Sequence, residues 1–243
     1  MIQFAGRLFL LDLEGTLAPL AFVQEVLFPY ARQRLPDFLA AQGGDEAVRA
    51  ALDQVARDAG GRDFVSWCPH AWPSAAARER LVGHLGKLMD RDAKETGLKQ
   101  LQGIIWTGGY RDGTLRVPVF ADVPPRLRAW RDAGRAIWTY SSGSVAAQRL
   151  FLGHTDAGDL TPWFSRHFDT ATGPKRDPAS YREITAAAAL APGEVLFLSD
   201  VTEELDAARI AGLATGLVIR PGNRPAPDHG HPRLGSFAEV SLA

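Results

Sequence analysis

The segment Arg7-Leu8-Phe9-Leu10-Leu11-Asp12-Leu13-Glu14-Gly15-Thr16 sets a short apolar run directly ahead of an acid. A second acid follows two positions on, with Gly-Thr behind it. This reads as a buried strand that delivers Asp12 to the carboxyl end of a sheet, where open α/β folds place their ligands. A carboxylate there serves as a nucleophile toward phosphorus or as a ligand for a hard cation. The alternative is a turn former or helix cap, the common use of a strand-end Asp.

Three further runs share the form. Ala136-Ile137-Trp138-Thr139-Tyr140 ends in Ser141. Val195-Leu196-Phe197-Leu198 ends in Ser199-Asp200. Thr215-Gly216-Leu217-Val218-Ile219 ends in Arg220-Pro221-Gly222. Helical patterns lie between them. One opens at Pro124-Pro125 and stops at Gly134. Others cover Ser144 to Leu152, the Ala-rich Pro178 to Ala191, and Thr202 to Ala211 before Gly212. Strands alternating with helices predict an α/β fold, a Rossmann-like parallel sheet with helices on both faces.

The stretch from about Leu20 to Lys99 breaks the alternation and is helical in pattern. Phe22, Val26 and Leu27 lie a turn apart, as do Leu81, Leu85 and Leu88. It reads as roughly four helices inserted after the first strand. The organisation expected is a core domain of residues 1–17 and 116–243 and a helical cap of residues 18–115. The insertion starts within a few residues of Asp12, which favours a lid over a separate helical domain. Residues 221–232 read as a surface loop, and Phe237, Val240 and Leu242 as a short docked terminal element.

Composition narrows the function classes. The 243 residues are 46% hydrophobic and 23% charged, with a formal net charge of −1, as in an ordinary globular chain. The basic residues are scattered, which argues against nucleic acid as a partner. The single cysteine, Cys68, excludes an intramolecular disulfide and a cysteine cluster for zinc, and reads as a small buried hydrophobe. The six histidines match no zinc spacing and are read as surface or core residues, with His229 and His231 an adventitious metal pair at most. Ser142-Gly143-Ser144 is no nucleophile elbow, and no Walker or dinucleotide glycine pattern occurs. With no leader pattern and no apolar run of about 20 residues, a cytoplasmic protein without membrane contact is expected.

Asp12, Ser141, Lys175 and Asp200, in that order, resemble the haloacid dehalogenase superfamily of phosphatases. The chemistry explains the residue types, because phosphoryl transfer requires a nucleophile, charge neutralisation at the phosphate oxygens and help for the leaving group. The resemblance makes Asp12 the nucleophile and Ser141 a phosphate donor, with Lys175 neutralising nucleophile and phosphate together. Two facing carboxylates need a cation between them, so Asp12 and Asp200 imply Mg²⁺. Phosphatases of this superfamily usually carry Asp where this chain has Glu14; that acid lends its backbone carbonyl to the metal and its side chain to proton transfer. Dehalogenases lack an acid there, so Glu14 favours phosphate over carbon–halogen chemistry.

Longer segments resemble the enolase-phosphatases, or acireductone synthases. They are Asp12 to Thr16 with Phe22 to Ala31, Leu101-Gln102-Gly103 with Trp106 and Gly109-Tyr110, Tyr140 to Val145, Ser199 to Glu204, and Arg220 to Asn223. Leu17-Ala18-Pro19-Leu20 departs from the more polar segment expected after Thr16, which bears on the substrate more than on the reaction. The resemblance implies methionine salvage: enolisation and then dephosphorylation of 2,3-diketo-5-methylthiopentyl-1-phosphate to the acireductone. It places Asp12, Glu14 and Asp200 on Mg²⁺, and Ser141, Ser142 and Lys175 on the phosphate. Glu14 is the candidate proton carrier. Glu204 is either an acid orienting metal-bound water or a carboxylate favoured by the helix dipole. Phe22, Phe28, Trp106 and Tyr110 are candidates for an apolar wall around the methylthio tail, or core. A monomer is expected. The competing readings are a phosphatase or phosphomutase of the same superfamily acting on another small ester, and a catalytically silent phosphate-binding module.

Overall fold

A computed structural model describes residues 1–91 and 93–243. They form two compact units, Met1–Val23 with Arg116–Ala243, and Gln24–Leu115.

The first unit is built on a six-stranded sheet of order β4-β3-β2-β5-β6-β7, parallel throughout. Its strands are β2 (Leu8–Leu11), β3 (Ala136–Tyr140), β4 (Arg166–Phe168), β5 (Val195–Ser199), β6 (Ala214–Val218) and β7 (Arg233–Leu234). A separate parallel pair joins β1 (Ile2–Phe4) to β8 (Val240–Leu242). Among the described residues its α-helices are α6 (Val123–Asp132), α7 (Val145–Gly153), α8 (Pro178–Ala188) and α9 (Thr202–Ile210). Alternation along β2 explains the two layers, since successive side chains leave opposite faces. Leu8 and Leu10 pack in one cluster with Tyr181 and Ile184 of α8 and Leu205 and Ala208 of α9. On the other face Phe9 stacks on Trp130 of α6, ring centroids 3.8 Å apart. A strand buried on both faces needs an unbroken apolar run, which is what residues 8–11 supply.

Strand order reverses beside β2. The chain leaves β2 for β3 on one side and later returns to β5 on the other. The crevice at the carboxyl ends of β2 and β5 is therefore the switch point where such sheets bind ligands.

The second unit contains α1 (Phe28–Gln42), α2 (Glu46–Asp58), the short α3 (Phe64–Trp67), α4 (Ala75–Asp90) and α5 (Thr96–Arg111). Local signals set the boundaries. Asp45 accepts the Ala47 and Val48 N–H groups, Asp63 and Ser66 form a reciprocal cap, and Ser74 accepts the Ala77 N–H. Leu81, Leu85 and Leu88 are buried with Leu35, Leu39, Val55 and Leu101 in one apolar core. Val26, expected on the same face as Phe22 and Leu27, is 41% exposed while those two are buried; residues 22–27 wind as a π-helix. Residues 18–23 group with the sheet unit. Ala18 bridges to Glu14, and Leu17 is buried with its carbonyl accepting the Phe120 N–H at 3.0 Å. Among the described residues no helix is long and apolar enough to cross a membrane.

Candidate active site

Asp12 follows β2 directly, its N–H donating to the Leu198 carbonyl of β5 at 3.0 Å. The chain then turns sharply. The Leu17 and Gly15 N–H groups close the turn on the Leu13 and Ala18 carbonyls, both at 2.8 Å. Gly15 has φ +74°, and a Cβ there would stand 2.3 Å from Asp200 Oδ2. Only glycine meets both conditions, so the acid after β5 is pressed against the turn after β2. Outside the turn, Asn223 Nδ2 donates to the Gly15 carbonyl at 2.9 Å and Arg220 Nε to the Thr16 carbonyl at 3.3 Å.

Lys175 Nζ lies 2.7 Å from Asp12 Oδ1 and 2.7 Å from Glu204 Oε2, and all three side chains are largely buried. Ser199 joins the same acids: its hydroxyl donates to Glu204 Oε2 at 3.1 Å and stands 3.4 Å from Asp12 Oδ2. Ser141, buried at the end of β3, points its hydroxyl at Glu14 Oε2 across 3.5 Å and accepts the Gly143 N–H at 3.1 Å. The structure thus brings together Asp12, Glu14, Ser141, Lys175, Asp200 and Glu204. Ser142 is exposed, and no hydrogen bond among the described residues ties its side chain to this group.

The electrostatics are lopsided, with the acids Asp12, Glu14, Asp200 and Glu204 set around one ammonium. Burial, reinforced by the Asp12 charge, raises Glu14. Burial and the same charge push Asp200 up to about 7. Burial lifts Glu204 to about 7 although Lys175 opposes it. Burial alone would pull Lys175 down, but Asp12 and Glu204 outweigh it and hold the ammonium above its ordinary value. A site short of positive charge is suited to a cation and to a substrate that arrives with one. Among the described residues no group of three or more His, Cys, Asp or Glu side chains is placed to hold a metal ion by itself. The carboxylates of Asp12 and Asp200 are oxygen donors of the kind Mg²⁺ takes, one or two at a time with water, carbonyls and substrate phosphate.

The other candidates fall outside this group. Phe22 meets Phe151 edge-on in the core of the sheet unit, and Tyr110 is buried in the helical unit. Phe28 and Trp106 face each other with centroids 6.2 Å apart, half-buried, and Trp106 Nε1 donates to the Leu27 carbonyl. Cys68 is buried. His229 and His231 both bind Asp206, at 2.5 and 3.1 Å.

Three residues that buttress the site, Ser199, Arg220 and Asn223, carry no role that the sequence alone assigns. Ser199 stands directly before Asp200 and opens a matching segment, and a hydroxyl at a strand end beside an acid is a usable signal. Asn223 and Arg220 appeared only within a matching segment. Their partners lie 208 and 204 residues away, so no local pattern reveals them.

A model of the haloacid dehalogenase-like hydrolases matches residues 7–212. Curated relatives named enolase-phosphatase E1 align along nearly the whole chain. The one from Synechococcus elongatus is 47% identical over 233 residues, covering 95% of this chain and 96% of the relative. The one from Stenotrophomonas maltophilia is 45% identical over 241 residues, covering 97% and 99%. Among solved structures, the UTR4 protein of Saccharomyces cerevisiae superposes with a TM-score of 0.79 at 35% identity, over 96% of this chain and 99% of that one. CbbY from Rhodobacter sphaeroides, solved in complex with phosphate, shares the fold at a TM-score of 0.57 and 18% identity, each chain covered to 96%. With likeness running the length of the sequence, and the acids, serine and lysine of the crevice inside the matched residues, the chain belongs to the enolase-phosphatase family of the haloacid dehalogenase-like hydrolases.

Proposed function

We propose that this protein is the cytoplasmic enolase-phosphatase of methionine salvage, with the helical unit as its cap domain. Its substrate would be 2,3-diketo-5-methylthiopentyl-1-phosphate and its product the acireductone 1,2-dihydroxy-3-keto-5-methylthiopentene. The observation that carries the reading is Asp12 at the switch-point crevice, its Oδ1 held by the Lys175 ammonium at 2.7 Å among an excess of carboxylates.

In the phosphatase step an Asp12 oxygen attacks phosphorus and the bond to the ester oxygen breaks. Glu14 delivers the proton that the leaving oxygen needs; its raised pKa keeps a proton available. The aspartyl phosphate is then attacked by water. Glu14 takes up the water's proton, and Asp12 leaves as a free carboxylate with inorganic phosphate released. Lys175 stays on Asp12 and offsets the charge gathering on the phosphoryl oxygens. Ser141 donates to one of those oxygens, and Ser142, exposed beside it, is the second phosphate ligand of the proposal. In the enolase step Glu14 is the proposed base that removes the proton next to the carbonyl. Mg²⁺ is the proposed cofactor; when bound, it polarises carbonyl and phosphoryl oxygens and neutralises charge. Asp12, Asp200 and the Glu14 backbone carbonyl would hold it, with Glu204 behind them.

The test follows ultraviolet absorbance and phosphate release together with the diketone phosphate, with and without Mg²⁺. An enol chromophore that precedes phosphate, only with Mg²⁺, is the expected result. Phosphate release from simple esters with no turnover of the diketone would move the activity to another small ester. Glu14→Gln should slow both steps, and enolisation at full rate in that variant would remove Glu14 as the base.

A further inference from the structure

Lys175 sits in a loop between β4 and α8, and a loop lysine has four rotatable bonds to place one charge. Its placement here is well determined from below. Three consecutive backbone carbonyls each accept a hydrogen bond from a different side-chain hydroxyl. Tyr140 Oη donates to Gly173 O at 2.8 Å, Ser180 Oγ to Pro174 O at 2.9 Å and Tyr181 Oη to Lys175 O at 2.7 Å. The donors come from two elements, the last residue of β3 and the first turn of α8. Gly173 adopts φ +149°, and a Cβ there would lie 2.3 Å from Ser180 Oγ, so the loop is pressed onto its fasteners. The Tyr140 and Tyr181 rings meet edge to face at 5.4 Å, and Tyr181 packs on Phe197 of β5 at 5.2 Å. The Lys175 ammonium lies 5.8 Å from the centre of the Tyr140 ring.

We propose that Tyr140, Ser180 and Tyr181 are positioning residues that fix the Lys175 loop so that its ammonium meets Asp12, with Tyr140 tying this loop to the phosphate-binding Ser141 beside it. The role rests on the phosphatase reading of Asp12 and Lys175, and it does not depend on which ester is the substrate. At Pro174 the hydroxyl bond adds to one the loop already makes for itself. Pro174 O already accepts the Asp177 N–H at 3.0 Å from within the loop. The added bonds remove the freedom of the peptide planes on which the lysine stem stands. Loss of one hydroxyl lets the ammonium drift while leaving the carboxylates in place.

Tyr140→Phe and Tyr181→Phe delete an oxygen and keep the ring, so the packing that folds the domain survives. The double variant is assayed with an aryl phosphate and with the diketone phosphate, in Mg²⁺. Acetic anhydride labelling of Lys175, read by mass spectrometry against Lys87 and Lys99, gives a measure independent of activity. The expected result is a kcat lowered by about tenfold to a hundredfold, the scale of a small misplacement of a catalytic group, with KM within about twofold. Lys175 labelling should rise several-fold over the reference lysines. A lowered melting temperature with unchanged kcat and unchanged Lys175 labelling would show the hydroxyls to be merely structural and overturn the proposal. If the wild-type protein cleaves the aryl ester but not the diketone, the substrate assignment fails and the kcat comparison still decides this one. If it cleaves neither, the phosphatase reading fails, and unchanged labelling would then also refute the fixing of the loop.

Discussion

The sheet unit holds two buried ion-pair systems of opposite design. Around Arg220 the charges balance. Its guanidinium grips both oxygens of Asp122 at 2.9 and 3.0 Å, donates to the Gly235 and Thr16 carbonyls, and lies between the Phe120 and Phe237 rings. Asp122 also accepts from Ser236 Oγ and the Phe237 N–H. Burial pushes Asp122 upward, but the bonds from Arg220 and Phe237 outweigh it and hold the carboxyl below its ordinary value. Around Lys175 the charges do not balance, and Glu14, Asp200 and Glu204 are all raised. One system is complete; the other is finished only by what binds to it. Buried charge alone therefore does not mark a site, whereas buried charge of one sign in excess does.

The largest effect expected is on turnover. Asp12→Asn should cut phosphate release by on the order of 10⁴-fold, the scale seen when one member of a catalytic unit is removed. Its melting temperature should hold or rise, since an acid leaves a crowded cluster. Substantial turnover in this variant would remove Asp12 as the nucleophile, whereas no turnover in either form with phosphate binding unchanged would return the silent binding module. Next is the balanced pair. Arg220→Ala leaves Asp122 with an unpaired charge and should cost about 3 kcal/mol in urea unfolding, the low end for breaking a buried pair.

Mg²⁺ should stabilise the protein by about 2–3 kcal/mol at a hundredfold excess over its dissociation constant at pH 8. The gain should shrink by pH 5, where the acids keep their protons. An equal gain at both pH values would break the contrast.

The smallest effects are the pH slopes of the metal-free protein, and they should run in opposite directions. Acids raised by folding bind protons more tightly folded than unfolded, so stability falls as pH climbs from the ordinary carboxylate value of 4.5 toward about 7. Glu204→Gln should flatten that fall. Asp122 is depressed, so its contribution is full above its ordinary value of 3.8 and is lost as pH drops through its lower folded value. Asp122→Asn should flatten this acid limb and leave the neutral one unchanged.

Much of this was legible in the sequence, and the rest was hidden for identifiable reasons. The run 8–11 announced a central strand because a strand covered on both faces cannot alternate. Asp12 and Asp200 were visible as acids directly after such runs. The strands β4 and β7 have three and two residues, too few to show a period, while Val240 and Leu242 of β8 read only as part of a short docked terminal element. Lys175 carried no local signal and was found through family resemblance. Its fasteners stayed unseen because Tyr140 read as strand and Tyr181 as helix, and each is both of these while also donating to the lysine's loop. Val26 is exposed although its spacing from Phe22 and Leu27 suggests one buried face, in a segment that winds as a π-helix.

The hydrogen bond from the Phe120 N–H to the Leu17 carbonyl, with Arg220 bridging Thr16 and Asp122, has a consequence for how such a chain changes over evolutionary time. The outgoing and returning segments are stitched together within the sheet unit itself. What is spliced between them need not hold the ends in register. The entropy of closing such an excursion grows only with the logarithm of its length, so doubling the inserted chain costs roughly 0.6 kcal/mol. The helical unit is in this sense a cassette, free to lengthen, shrink or be exchanged while the chemistry at the strand ends is inherited unchanged.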